Sequence, residues 1–241
     1  MVWWLMPPLH HPATQVIIIN DRSDSTPADC ASLTSIFYNS MKLPGINRHS
    51  TIRVLLTGDE HTANEPYSLA EYKAPDTRYI IEGKRKTQVR QDRLIADLSS
   101  KCTQSPVTKV SPIYLAVKRA VEQLQSMRGT NESAQYLFVK TDGEETADMQ
   151  IKLALSQPPG SQLHLPNPID NGRVRVSFCG MAETIGKSRG TKPRGLFTAT
   201  RNAQRIDRAR EVWGALFSNS SNVTFEPYCP KQGDSESTKR K

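Results

Sequence analysis

The chain has 241 residues, 37% of them hydrophobic and 23% charged, with a formal net charge of +8. That length and balance give room for a full core and exclude disorder throughout, and no run approaches the ~20 consecutive apolar residues of a membrane-spanning helix. The charge admits a nucleic acid, an anionic surface or an acidic protein as partner without choosing among them.

Residues 1–12, MVWWLMPPLHHP, are apolar but lack a basic start and a small-residue cleavage site, and Pro7 and Pro8 break them. They read as a leader to the fold and not as a signal peptide. Residues 15–19 read as a parallel strand buried on both faces, because the apolar run Val16–Ile19 within them is continuous. After a polar loop, Leu33, Ile36, Phe37 and Met41 fall at helical spacing and Pro44-Gly45 stops the helix. A second strand follows in TIRVLLTGDE, 51–60, ending in polar residues. From 61 to 82 the pattern is weak, with TRYIIEG, 77–83, as a candidate short or edge strand.

Val89, Arg93, Leu94 and Leu98 give a helix over 86–100, and KCTQSPVTKVSP reads as a loop. Ile113, Val117, Ala120, Val121 and Leu124 then share one helical face, with Pro112 at the first turn and Gly129 at the end. A strand at 134–140 runs into TDGEETAD. A short helix at 147–155, a Pro- and Gly-rich loop at 156–172 and a strand in RVRVSFCGM come next. Ile206, Ala209, Val212, Trp213 and Leu216 mark the inner face of a last helix, VTFEPY a final strand, and KQGDSESTKRK a solvated tail. Such alternation predicts an α/β fold with a doubly wound, mostly parallel central sheet and helices on both faces. One domain over 13–228 is expected, with the leader 1–12 before it and a basic flexible tail, 229–241, after it.

Cys30, Cys102, Cys179 and Cys229 lie far apart, with no C-x-x-C and no zinc-type His spacing. They read as free thiols in a reducing, cytoplasmic setting, with one or two disulfides as the alternative. The sequons at Asn131, Asn219 and Asn222 are short enough to arise by chance.

In a doubly wound sheet, ligands sit at the carboxyl ends of the strands. At the first such end, Asp21, Ser23 and Ser25 form D-x-S-x-S. Carboxylates and hydroxyls are hard oxygen ligands suited to Mg²⁺ or Mn²⁺, but one loop cannot fill an octahedron. Asp142, after the strand at 134–140 and before Gly143, and Ser111, at the start of the strongest helix, are the candidates to complete it. Glu144, Glu145 and Asp148 nearby read either as helpers in retaining a cation or as an ordinary acidic helix start.

The pieces IIINDRSDS, SPIYLA and FVKTDGEE, in this order, resemble the von Willebrand factor A (vWA) domain and its metal-ion-dependent adhesion site. The resemblance implies that Ser23 and Ser25 bind the ion directly and that Asp21 and Asp142 bind it directly or through water. Ser111 would stand where the family usually has Thr, with Thr108 as the substitute under another loop register. It also implies a non-enzymatic protein-binding module whose partner completes the Mg²⁺ shell with an acidic side chain.

Two other readings compete. Residues 187–210 carry Lys187, Arg189, Lys192, Arg194, Arg201, Arg205, Arg208 and Arg210 against Asp207 alone. That segment could bind nucleic acid, through Arg201, Arg205 and Arg208 in particular, with the fold as scaffold; only Phe197 is there for stacking, and a solvated or partner-facing basic face is the plainer reading. A metal-dependent phosphohydrolase using the same acids is the other. TGDEH, 57–61, lacks the companion motifs of a metallophosphoesterase, and where haloacid dehalogenase-type enzymes place a second acid this chain has Ser23. His10, His11, His49, His61 and His164 have no paired nucleophile.

Overall fold

The computed structural model describes residues 13–23, 29–57, 67–75, 80–127, 134–181, 195–226 and 228–229, with the backbone alone described for 80–84 and 195–202. The strands are β1 (Gln15–Asp21), β2 (Thr51–Thr57), β3 (Tyr67–Lys73), β4 (Gln135–Lys140), β5 (Arg175–Cys179) and β6 (Val223–Glu226). The helices are α1 (Cys30–Ser40), α2 (Ile80–Gln104), α3 (Ile113–Ser126), α4 (Met149–Ser156) and α5 (Gly195–Ala215).

The six strands form one sheet in the order β3-β2-β1-β4-β5-β6. All neighbours are parallel except the edge strand β3, which runs antiparallel to β2 with a register shift between Val54 and Leu55. The doubly wound α/β architecture expected from the alternation is the one observed. The order reverses between β1 and β4, so the crevice at their carboxyl ends is the ligand position of such sheets.

The continuous apolar run of β1 is explained by burial on both faces. Ile17 and Ile19 join Leu137, Val139, Val176 and Phe178 under α3, α4 and α5. Val16 and Ile18 join Ile52, Val54, Leu56 and Leu69 under α1 and α2. Successive side chains of a strand point to opposite faces, so only a strand sandwiched between helices needs apolar residues at every position. Leu33, Ile36, Phe37 and Met41 are buried, as their spacing predicts, and so are Ala209, Val212, Trp213 and Leu216.

Three expectations are corrected. The edge strand is YSLAEYK, 67–73; in TRYIIEG, the described residues from Ile80 onward are already the first turn of α2, whose 25 residues also absorb the start of the expected loop. The cysteines are not free: Cys30 pairs with Cys102 and Cys179 with Cys229, at Cα separations of 5.8 and 4.8 Å. The partners lie 72 and 50 residues apart in sequence and meet only because α1 packs beside α2 and β6 beside β5.

The third correction concerns the basic segment. Arg208 is no part of an exposed face: its side chain is 1% exposed and donates to Ala154 O at 2.8 Å, Ser161 O at 3.1 Å, Gln157 Oε1 at 3.3 Å and Glu211 Oε2 at 2.8 Å. It ties α5 to α4 and to the loop that follows. Arg205 pairs with Glu144. Residues 187–194 lie outside the described residues, as do the leader 1–12 and the tail from 230, and no described helix is long and apolar enough to cross a membrane.

Arg208→Ala deprives the Ala154 and Ser161 carbonyls and the Gln157 amide oxygen of their donor and should cost roughly 2–4 kcal/mol, whereas Arg205→Ala, which removes an exposed pair, should cost less than about 1 kcal/mol. Urea midpoints of the two variants check this ordering. Equal midpoints would return Arg208 to the solvated face.

Candidate metal site

Asp21, the last residue of β1, lies opposite Thr57 of β2 in the sheet register, and its side chain is buried. Its Oδ2 accepts from Thr141 Oγ1 at 2.9 Å, from Ser111 Oγ at 3.0 Å and from Ser23 Oγ at a longer 3.4 Å, while Oδ1 accepts from Ser23 N at 3.2 Å. Three hydroxyls, from the β1 loop, the start of α3 and the end of β4, therefore meet on one carboxylate. A buried carboxylate is costly unless several donors satisfy it, and these donors do so.

Each loop is shaped by its own sequence. Ser23 pairs with Thr108 in a parallel bridge, and Thr108 N donates to Arg22 O at 3.0 Å. Thr108 turns its hydroxyl to Val110 O, so Ser111 is the hydroxyl brought to Asp21 from the start of α3. The side chain of Arg22 is turned away to Ser105 O through Nε at 3.4 Å and Nη2 at 3.2 Å, and burial lowers the pKa of its guanidinium. After β4, Gly143 takes a φ of +84°, a conformation that side-chain-bearing residues rarely adopt, and its carbonyl accepts from the buried Trp213 Nε1 at 3.0 Å. That turn brings Asp142 to the same edge as Thr141, with Asp142 Oδ1 accepting from Glu144 N at 3.0 Å.

The acidic cluster is structural. Glu145 is buried and caps the start of α3: its Oε2 accepts from Tyr114 N at 2.7 Å, and its Oε1 from Ala147 N at 2.8 Å and Asp148 N at 3.2 Å. Ser111 N donates to Thr146 Oγ1 at 2.6 Å and Thr146 N to Ser111 O at 3.1 Å, so the 141–148 loop is clamped onto the residues that deliver Ser111. Asp148 caps α4 through Ile151 N, and Glu144 holds Arg205. Glu145 and Asp148 thus satisfy N–H groups at helix starts, and Glu144 is engaged by Arg205.

Of the residues singled out from sequence, Asp21, Ser23 and Ser111 are in direct contact and Asp142 stands at the same strand-end edge. Ser25 lies outside the described residues. Thr141 was missed as a site residue, although the T of T-D-G was its signal; Glu145 as the cap of α3 had no local signal, because its partner is 31 residues away. Among the described residues no three His, Cys, Asp or Glu side chains come together as a metal site. The donors that do meet are two serine hydroxyls, a threonine hydroxyl and carboxylate oxygen, all of the hard class that Mg²⁺ takes. A cleft of about 400 Å³ opens beside Asp142, lined among others by Thr146, Lys152, Met181 and Arg205.

No protein-family profile matches the chain. No curated protein sequence matches it either. Among solved structures it is similar to the VWA domain of SpRpn10, at 15% identity and a TM-score of 0.42 over 92% of this chain and 90% of that one. It is also similar to the pilus adhesin SpaC from Lactobacillus rhamnosus GG, at 10% identity and a TM-score of 0.46 over 89% of this chain but 28% of the adhesin. A manganese-loaded Plasmodium vivax TRAP protein superposes at 12% identity and a TM-score of 0.41 over 80% of this chain and 72% of that one. At such scores the likeness is of chain course alone. The roles of the residues here rest on their own geometry.

Burial raises the pKa of Glu145, and its three backbone hydrogen bonds offset that only in part. A carboxyl whose folded pKa is raised binds its proton more tightly folded than unfolded, so its contribution to stability declines as pH rises from the ordinary glutamate range through the raised value. Glu145→Gln removes the titration and leaves one accepted N–H unpaired. The variant should be less stable than the parent at acid pH and should recover part of the gap across that window, measured as thermal midpoints against pH. A gap that stays constant or widens contradicts the assignment.

Proposed function

We propose that this chain is a protein-binding module of the vWA type, in which Mg²⁺ or Mn²⁺ held at the end of β1 is completed by an acidic side chain of the partner. The observation that carries this reading is the meeting of Ser23, Ser111 and Thr141 on Asp21. A hydroxyl has one proton and two lone pairs. With the Ser23 and Ser111 protons directed at Asp21, the two hydroxyl oxygens can offer lone pairs to a cation, and Asp21 would support it from behind or through water. Asp142 would supply the second negative charge, with Ser25 as a further oxygen from the same loop. The bound ion would supply an attachment point for a carboxylate. The protein's part is to hold the oxygens in place and to keep the carboxylate of Asp21 dry, so that little rearrangement accompanies binding.

Binding without catalysis is the function this arrangement supports best. The nucleic-acid reading is weakened by the positions of Arg208, buried between α5 and α4, and Arg205, paired with Glu144. The two cysteine pairs support a working environment other than the cytoplasm, and we place the protein in a non-reducing compartment.

Calorimetric titration with Mg²⁺ tests the reading. The parent should bind saturably, and Ser111→Ala and Asp142→Ala should each weaken binding on the order of 10–100-fold while remaining folded. Absence of saturable binding to the parent at millimolar Mg²⁺ overturns it.

A further inference from the structure

Arg208 and Arg205 are engaged by their neighbours, but a dense basic surface stands on another helix. The first half of α2 reads RKTQVRQDR over 85–93, four bases to one acid. Arg85, Lys86, Val89, Arg90 and Arg93 are all exposed. At 3.6 residues per turn they share one arc of roughly 140°, opposite the side that carries Leu94, Leu98 and Cys102 to the core. Arg85 and Arg93 lie about 12 Å apart along the helix axis. The acids nearby are engaged elsewhere: Asp92 accepts from Gln88 Nε2 at 2.8 Å, Asp97 pairs with Lys101 at 3.0 Å, and Glu71 of the neighbouring β3 pairs with Arg53 and Lys73. Among the described residues no acid pairs with Arg85, Arg90 or Arg93. Like charges at i, i+3 and i, i+4, as at Lys86, Arg90 and Arg93, destabilise a surface helix, and the helix dipole favours cations only at the other end. Stability alone does not ask for this arrangement. An anionic chain laid along it would relieve the repulsion.

We propose that this face of α2 binds a linear sulfated polysaccharide through Arg85, Lys86, Arg90 and Arg93. A guanidinium donates two parallel N–H bonds to one oxyanion, so a row of arginines anchors successive anionic groups of one chain. α2 has no aromatic residue on which a nucleic-acid base could stack. Val89 is the one large apolar side chain within the basic arc, too little to enter a bilayer. The choice of sulfate over nucleic-acid phosphate rests on the non-reducing compartment proposed above. The surface is separate from the cation site. α2 meets the site edge at its other end, where Ser105, just beyond it, accepts from Arg22, and Arg93 lies about 16 Å back from the end of the helix. Polysaccharide binding is therefore independent of Mg²⁺, and its failure leaves the cation reading untouched.

The test uses the whole oxidised chain and fluorescently labelled heparin as the probe, with anisotropy read over a NaCl series. Arg85→Gln/Arg90→Gln/Arg93→Gln is compared with Lys118→Gln/Arg119→Gln/Arg173→Gln, which removes the same charge from exposed positions on α3 and before β5. The α2 variant should bind at least about tenfold more weakly, with the slope of log Kd against log salt shallower by roughly two to three, while the control stays within about twofold of the parent. Chelating Mg²⁺ should change nothing. Gln is a good helix former, so the α2 variant should keep the parent's circular dichroism. If it does not, Arg90→Gln alone replaces it, read by a slope shallower by about one. No heparin binding by the parent near physiological salt, or equal weakening in both triple variants, overturns the proposal. Tighter binding to duplex DNA or to anionic-lipid vesicles than to heparin at equal salt also overturns it, and gives the face to that partner.

Discussion

Asp21 ends the central strand with its carboxylate almost wholly out of water, and hydroxyls from its own loop and from two others turn their protons toward it. The need to satisfy that buried charge organises this edge of the molecule. Ser111 can reach it only if α3 begins where it does, which requires Glu145 and Thr146 to hold the first turn of that helix. Thr141 can reach it only if β4 ends in register beside β1 and the chain turns sharply at Gly143, whose carbonyl is held by Trp213. Removing any one of these supports leaves a charged group short of a donor in a place where water does not replace it, and such a group costs more than the hydrogen bond itself.

In the proposed reading, the same hub is what would let an arrangement of ordinary strength serve as a binding site. Hydrogen bonds from hydroxyls to Asp21 keep the oxygens in place before any ligand arrives, and pre-organisation of this kind is what allows a few contacts to give useful affinity. The sheet supplies the rigidity. β1 is buried on both faces and paired on both edges, so its last residue has little freedom. The two disulfides add covalent ties at places where chain segments reach the site edge from different directions, Cys30 just after the site loop and Cys179 at the end of the strand beside β4.

Much of this is legible in the sequence, for identifiable reasons. The run Val16–Ile19 announces a strand sandwiched between helices because only that environment asks for apolar side chains at every position. D-x-S-x-S, Ser111-Pro112 and Thr141-Asp142-Gly143 can be read because each sits at an element boundary, where turn and cap residues leave local marks. What is not legible depends on contacts between distant segments. The β3 strand YSLAEYK is an edge strand, half exposed and rich in charge, so its pattern is weak, and the apolar Ile80-Ile81 draws attention away from it although both belong to α2. Arg208 resembles its basic neighbours in sequence and differs only in facing α4. The cysteine pairs are set by which helices and strands pack together, and the spacing of four cysteines carries no information about that.

The central claim is that the hydroxyls gathered on Asp21 form the bed of a divalent cation. The most direct measurement is a crystal structure of the oxidised protein grown with Mn²⁺, with anomalous scattering used to locate the metal. The account predicts one peak at the carboxyl end of β1, bounded by Ser23, Ser25, Ser111 and Asp142, with the Ser111 and Thr141 hydroxyls still on Asp21. No peak there, with Asp21 satisfied by the same hydroxyls, would make the cluster a structural device alone and contradict the account.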